Sequence, residues 1–187
     1  MSSAALFPRA CLTLLIAALP PWCLAADDIP SATDACAPGE KETTPSEGFG
    51  LLEDGAVIRH EETTLEWRRC AEGQRWEAEA NGCRGRAKSV SWEKARELAE
   101  KAGGEWRLPR GEELLTIVER CHFGPAINPQ VFPNTPSGLF WSSSTDTGGL
   151  DRAWCVSFFG GQYYRAGKTQ SGRVRLVRGE MKQAQEP

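Results

Sequence analysis

Side chains able to do chemistry are few in this sequence, and their spacing limits what they can do. Cysteines stand at positions 11, 23, 36, 70, 83, 121 and 155, and the only histidines are His60 and His122. No two cysteines have C-x-x-C spacing, so no zinc site is expected and no metal ligand is assigned. There is no Gly-x-Ser-x-Gly turn; His60 sits among acids, and His122 follows Cys121 at a helix end, where a cation is favoured. Glu112 and Glu113 are adjacent at a helix start, so they diverge, and the helix dipole accounts for both. Ser142, Ser143 and Ser144 read as strand and turn surface. Asn128, Asn134, Asp146 and Asp151 could offer oxygens to calcium, but they are spread over two loops and read as Asx turns. We expect no catalytic residue and no cofactor.

The cations are more informative. Residues 54–120 carry 13 Lys or Arg against 14 Asp or Glu, whereas residues 121–179 carry six against two. The later half is therefore basic although the whole chain has a net charge of −3. If Arg173 and Arg175 share a strand face beside Arg165, they form a cationic stripe next to Tyr163 and Tyr164, flanked by Arg152 and Lys168. Guanidinium groups take sulfate or carboxylate through paired hydrogen bonds, and aromatic faces stack on sugar rings. The candidate ligand-binding residues are Arg152, Tyr163, Arg165, Lys168, Arg173 and Arg175, against the plainer reading that alternating arginines solvate an exposed strand. A secretory leader and the acidic balance disfavour nucleic acid.

That leader is read at residues 1–26. Arg9 precedes the apolar run Ala10–Leu19, and small residues at Ala25 and Ala26 supply an exit. The run is too short to span a bilayer, so the mature chain is expected without a transmembrane segment, secreted or periplasmic. Cys11 and Cys23 leave with the leader, and an oxidising compartment makes disulfides the default for the rest. The favoured pairs are Cys70–Cys83, closing a short loop, and Cys121–Cys155, tying a helix end to a later strand. Cys36 is left over, free or paired with another chain.

The elements that must position these groups follow from pattern. Residues 27–53 are rich in Pro, Glu, Thr and Ser and read as a disordered linker, the tail 180–187 as disordered too, and the domain as 54–179. Two short strands, at 56–59 and 63–67, precede a polar loop with Trp76. A helix follows Ser91 and ends at Gly103. A second begins after Pro109 and is expected to reach Cys121. The passage 125–138 is irregular, and the remainder reads as antiparallel strands, closing with Arg173–Arg178 as a strand with one wet face. Trp67, Trp92, Trp106, Trp141 and Trp154 are assigned to the core. Two helices packed on a mainly antiparallel sheet make the fold class α+β.

Several motifs now stand in order: Thr64-Leu-Glu-Trp67, Ser91-Trp-Glu-Lys-Ala95, Trp106-Arg-Leu-Pro109, Glu113-Leu114, Phe132-Pro-Asn-Thr-Pro136, Phe140-Trp-Ser-Ser-Ser144, Ala153-Trp154 and Val174-Arg-Leu-Val-Arg178. Together they resemble the Lcl C-terminal domain family, named for a bacterial collagen-like adhesin, over roughly residues 54–179. The resemblance implies a C-type-lectin-like α+β fold in an extracytoplasmic bacterial protein and, as in the founding adhesin, binding of sulfated polysaccharide. Arg110 departs from the family's small hydroxyl residue after Trp-Arg-Leu-Pro, removing an expected helix cap. The adhesin's Gly-X-Y stalk is missing, so trimerisation is not carried over. The expected function is a non-catalytic extracytoplasmic module binding anionic glycan or another envelope component. The alternative is a protein-interaction or scaffold subunit using the 125–138 loop or Cys36. An oxidase-like enzyme is a distant third, requiring reduced Cys121 and Cys155.

Overall fold

The computed structural model describes Cys36, residues 39–148 and residues 151–182. The leader expected at 1–26, with Cys11 and Cys23, lies outside the described residues, as do 27–35 and 183–187. In chain order the elements are β1 (Phe49–Leu52), β2 (Val57–His60), β3 (Glu66–Arg68), β4 (Arg75–Glu77), β5 (Gly82–Arg84), α1 (Trp92–Ala102), α2 (Gly111–Leu115), β6 (Leu139–Thr145), β7 (Arg152–Ser157), β8 (Gln162–Gly167) and β9 (Val177–Arg178). Strands β1, β2, β3 and β9 form one antiparallel sheet in that order, β6, β7 and β8 another, and β4 with β5 a hairpin. This is an α+β domain, as expected.

Helix α1 forms where local signals converge. The Ser91 hydroxyl accepts a hydrogen bond from the Lys94 N–H, and Gly103 takes φ +66° just past the end. Trp92, Ala95 and Ala99 face inward, three to four residues apart, while Lys94, Arg96, Glu97 and Glu100 pair on the outer face. Helix α2 stops at Leu115 and does not reach Cys121. The β-branched run Thr116-Ile-Val118 is unfavourable in a helix, and the Thr116 hydroxyl bonds back to the Glu113 carbonyl at 2.7 Å. Three-residue turns then let Ile117 and Val118 both enter the core.

Two apolar clusters flank the β6–β8 sheet. Phe140, Val156 and Phe158 join Leu65, Trp67, Leu114, Ile117, Ile127 and Phe132 in one. Trp141, Ala153, Cys155 and Ala166 join Trp92, Ala95, Leu108, Val174 and Leu176 in the other. Successive strand residues point to opposite faces, so consecutive Trp141 and Phe140, or Cys155 and Val156, serve different clusters. Each large aliphatic or aromatic side chain so buried contributes about 1.5–3 kcal/mol.

Four expectations change. Cys70–Cys83 pairs as expected, but Cys121 pairs with Cys36, their Cα atoms 5.1 Å apart, and Cys155 is free among the described residues. Alternation decides this: Cys155 points into the Trp92–Trp141 cluster, whereas Cys121 follows Val118 of the other cluster. The second half of the expected linker is built in. Residues Phe49–Leu52 form β1, Phe49 packs on the first cluster, and Thr43 and Thr44 bind Glu119. The start of the tail is also pinned, the Lys182 N–H donating to the Thr63 carbonyl at 3.0 Å and Met181 packing on the core. Finally, 173–178 has no wet face along most of its length, because it runs between both sheets: Trp141 N–H donates to Arg173 O, and Arg68 N–H to Leu176 O.

Candidate functional site

The outer part of β7 and β8 carries a ledge of aromatic and cationic groups. Pairing sets Trp154 opposite Arg165, Val156 opposite Tyr163 and Arg152 opposite Gly167, and cross-strand partners share a face. Trp154 and Tyr163 are diagonal neighbours on that face and stack, with centroids 4.5 Å apart and planes 19° from parallel. The Arg165 guanidinium lies 5.4 Å from the Trp154 ring centroid and pairs with Asp146 at 3.1 Å. The Gly148 N–H hydrogen bond, followed by the charges of Arg165 and Arg152, holds the Asp146 carboxyl below its ordinary range. Burial, reinforced by the charge of Glu112, raises the Tyr163 phenol.

Helix α2 supports the ledge from below. Tyr163 fills the space that a Cβ at Gly111 would occupy, so glycine at the helix start admits the ring. The missing hydroxyl at Arg110 is made good from elsewhere. Glu113 accepts the Arg110 N–H at 2.7 Å, and Ser144 of β6 accepts the Gly111 N–H at 3.1 Å. Glu113 is itself fully buried and held by Arg107 through two hydrogen bonds, at 2.7 and 2.8 Å. Glu113 thus does structural work at the helix start, while Glu112 stays exposed.

The six candidate residues are only partly brought together. Arg152, Tyr163 and Arg165 share the ledge. Lys168 sits on the α1 side, its ammonium 4.3 Å from the Trp92 ring centroid. Arg173 bridges to Phe140 of β6, so β6 and β7 separate it from Arg165 on β8. Arg175 is excluded from binding because it is fully buried. Its guanidinium donates to the carbonyls of Arg68 and Arg69 and to the Thr135 hydroxyl, and it stacks 4.7 Å from the Phe132 ring centroid. Burial first, then the nearby Arg69 charge, lowers its pKa to about 9. The stripe does not form, because 173–178 pairs with β6 and β3 and not with β8.

Trp154 is the ledge residue that pattern reasoning assigned wrongly to the core. It alternates with Val156 and Phe158, which are buried, but its own neighbours are Tyr163 and Arg165, and it stays only partly buried. Of the oxygens read as Asx turns, Asn128 accepts from the Gln130 and Val131 N–H groups and Asp146 from Gly148, whereas Asn134 accepts from the distant Cys83 N–H. The passage 125–138 is pinned by the buried Ile127, Val131 and Phe132. Trp76, in the polar loop, is half-buried and donates to the Asp54 carbonyl at 3.0 Å.

A second polar cluster went unanticipated. Glu119 is fully buried, and its two carboxylate oxygens accept four hydrogen bonds from the N–H and hydroxyl groups of Thr43 and Thr44, at 2.7–2.9 Å. Burial pushes its pKa up, but those donors outweigh it and hold the group at about 2. An acid inside the apolar run Thr116-Ile-Val-Glu119 was the available signal. It names a buried acid but not its partners, which come from 75 residues upstream.

Two antiparallel sheets, a two-helix segment and two disulfides within one small α+β unit define the class of domain. The chain belongs to the Lcl C-terminal domain family, whose model matches residues 56–178. No curated protein matches the chain.

Proposed function

We propose that this chain is a non-catalytic, extracytoplasmic binding module of adhesin-like type, and that it holds anionic polysaccharide on the Trp154–Tyr163–Arg165 ledge. The observation that carries this reading is the stacked Trp154–Tyr163 pair beside Arg165 and Arg152. An aromatic face of this kind suits the apolar side of a sugar ring, and a guanidinium at its rim suits a sulfate or carboxylate. Work outside the cytoplasm is supported by the leader-like residues 1–26 and by two disulfides; among the described residues no helix is long and apolar enough to cross a membrane.

The test is a panel of sulfated and neutral glycans probed at two salt concentrations. Binding should favour sulfated glycans and weaken with salt. Arg165→Ala should cost about tenfold, the lower end for a charge-assisted hydrogen bond at an exposed site, and Trp154→Ala at least as much. Arg173→Ala should change little. Salt-independent binding, or binding indifferent to Arg165 and Trp154, overturns the reading.

One observation favours a protein-docking role instead. Phe123 and Phe159 are 60% and 52% exposed and pack edge to face, centroids 4.3 Å apart. A partner that co-purifies with Arg165→Ala but is lost with Phe159→Ser would select that role.

A further inference from the structure

We propose that Cys36, Cys121 and His122 form a redox-gated site for a thiophilic divalent ion of the zinc and cadmium class. It is closed while the cysteines are bonded and able to ligate once they are reduced. One ligand atom from each of the three residues lies within 4.8 Å of those of the other two. The cysteines are 85 residues apart, so no local spacing announces the set. His122 is only 7% exposed, and its Nδ1 is buried with no hydrogen-bond partner among the described residues. A buried imidazole nitrogen normally has a partner, and leaving one without is costly. A metal ion would take a lone pair of this imidazole.

The surroundings also suit an ion. The Glu119 Oε1 atom lies 3.1 Å from Cys121 Sγ, placing a carboxylate oxygen at the rim of the cluster. The Cys36 arm does not depend on the disulfide alone for its place. Thr43 and Thr44 are latched to Glu119, and Asn128 donates to the Thr44 carbonyl and to the Ser46 hydroxyl, at 3.0 and 3.1 Å. Strand β1 continues that anchorage into the sheet. After reduction the chain therefore stays pinned from Thr43 onward, seven residues from Cys36, which keeps the Cys36 sulfur tethered within reach of Cys121 and the imidazole.

The chemistry balances with an external dithiol as reductant. The dithiol gives two electrons and two protons, its own sulfurs join, and the Cys36–Cys121 bond opens to two thiols. A divalent ion then displaces the two thiol protons. It is held by two thiolates and a neutral imidazole, with a fourth position for water or the Glu119 carboxylate. An external disulfide reverses the sequence: it takes two electrons from the thiolates and two protons from solvent to become a dithiol, the Cys36–Cys121 bond re-forms and the ion is released.

The experiment is an anaerobic cadmium titration of the phosphine-reduced protein, read by the thiolate-to-metal charge-transfer absorption, with circular dichroism confirming the fold. Reduced wild type should bind one equivalent, and the oxidised protein none. Cys36→Ser and Cys121→Ser should each abolish the two-thiolate band. His122→Gln, which keeps both sulfurs, should weaken binding at least about tenfold, the least that even outer-shell partners contribute. Cys70→Ser, which disables the other pair, should bind like wild type. The proposal is overturned if the reduced protein unfolds or does not saturate. It is equally overturned if His122→Gln binds as tightly as wild type, or if Cys70→Ser removes the band.

Discussion

Replacing Glu119 with glutamine tests how the N-terminal strap is held to the domain. The native carboxylate sits at about 2 where 4.5 is ordinary, because the donors of Thr43 and Thr44 favour its charged form. At about 1.4 kcal/mol for each tenfold change in proton affinity, that preference is worth about 3–4 kcal/mol at neutral pH. The sign follows from which state binds the proton. Between about pH 4.5 and 2 the unfolded chain is protonated at this position and the folded chain is not, so this stability is complete above that window and lost as pH falls through it. In Glu119→Gln the amide turns an NH2 group toward donors that need an acceptor, while the Cys36–Cys121 bond still tethers the strap. Urea unfolding at pH 7 should show a loss of about 3–4 kcal/mol. Repeated down to pH 2, the two stability curves should converge as wild type forfeits what the variant never had. Parallel curves, or a variant as stable as wild type at pH 7, would refute the account of this buried acid.

Other substitutions separate structure from binding. Arg110→Ala should leave stability within about 0.5 kcal/mol, since Glu113 and Ser144 cap the helix. Glu113→Gln should cost roughly 2–4 kcal/mol in the same unfolding assay by breaking the Arg107 pair. Arg175→Ala should destabilise by at least about 3 kcal/mol, through a cavity and three abandoned acceptors, yet leave glycan affinity of the folded protein unchanged. Burial raises the Cys155 thiol to about 11, so at pH 8 mass spectrometry should find it alkylated only after unfolding. Modification in the native state at the rate of a free thiol would contradict its place in the core.

Legibility followed the range of the interactions. Helix α1 was readable because its cap, its inner face and its closing glycine all lie within Ser91–Gly103. The Cys70–Cys83 pair was readable because a short loop joins the two residues. The β7–β8 hairpin was likewise local, and with it the association of Tyr163 with its neighbours. Pairings between distant segments were not readable. Arg173 and Arg175 have the alternation of an exposed strand, but alternation states only that two faces differ, not that either is wet. Arg175 is buried because Phe132, Phe140 and two carbonyls from the Arg68–Arg69 turn close around it. The polar composition of residues 27–53 suggested disorder, since no average over composition registers Thr43 and Thr44 fitted to one distant carboxylate.

The sequence alone carries the α+β class, one disulfide and the family, because each rests on residue types in a fixed order along the chain. It also put basic and aromatic side chains on the last strands. Which of them share a surface was decided only by tertiary structure. Strand order placed β6 and β7 between Arg173 and Arg165, register stacked Tyr163 on Trp154, and face alternation sent Cys155 away from Cys121. The physical reason is that a strand's neighbours are chosen by the burial of whole sheets. A ledge, a disulfide or a cluster such as Cys36, Cys121 and His122 exists only after that choice is made.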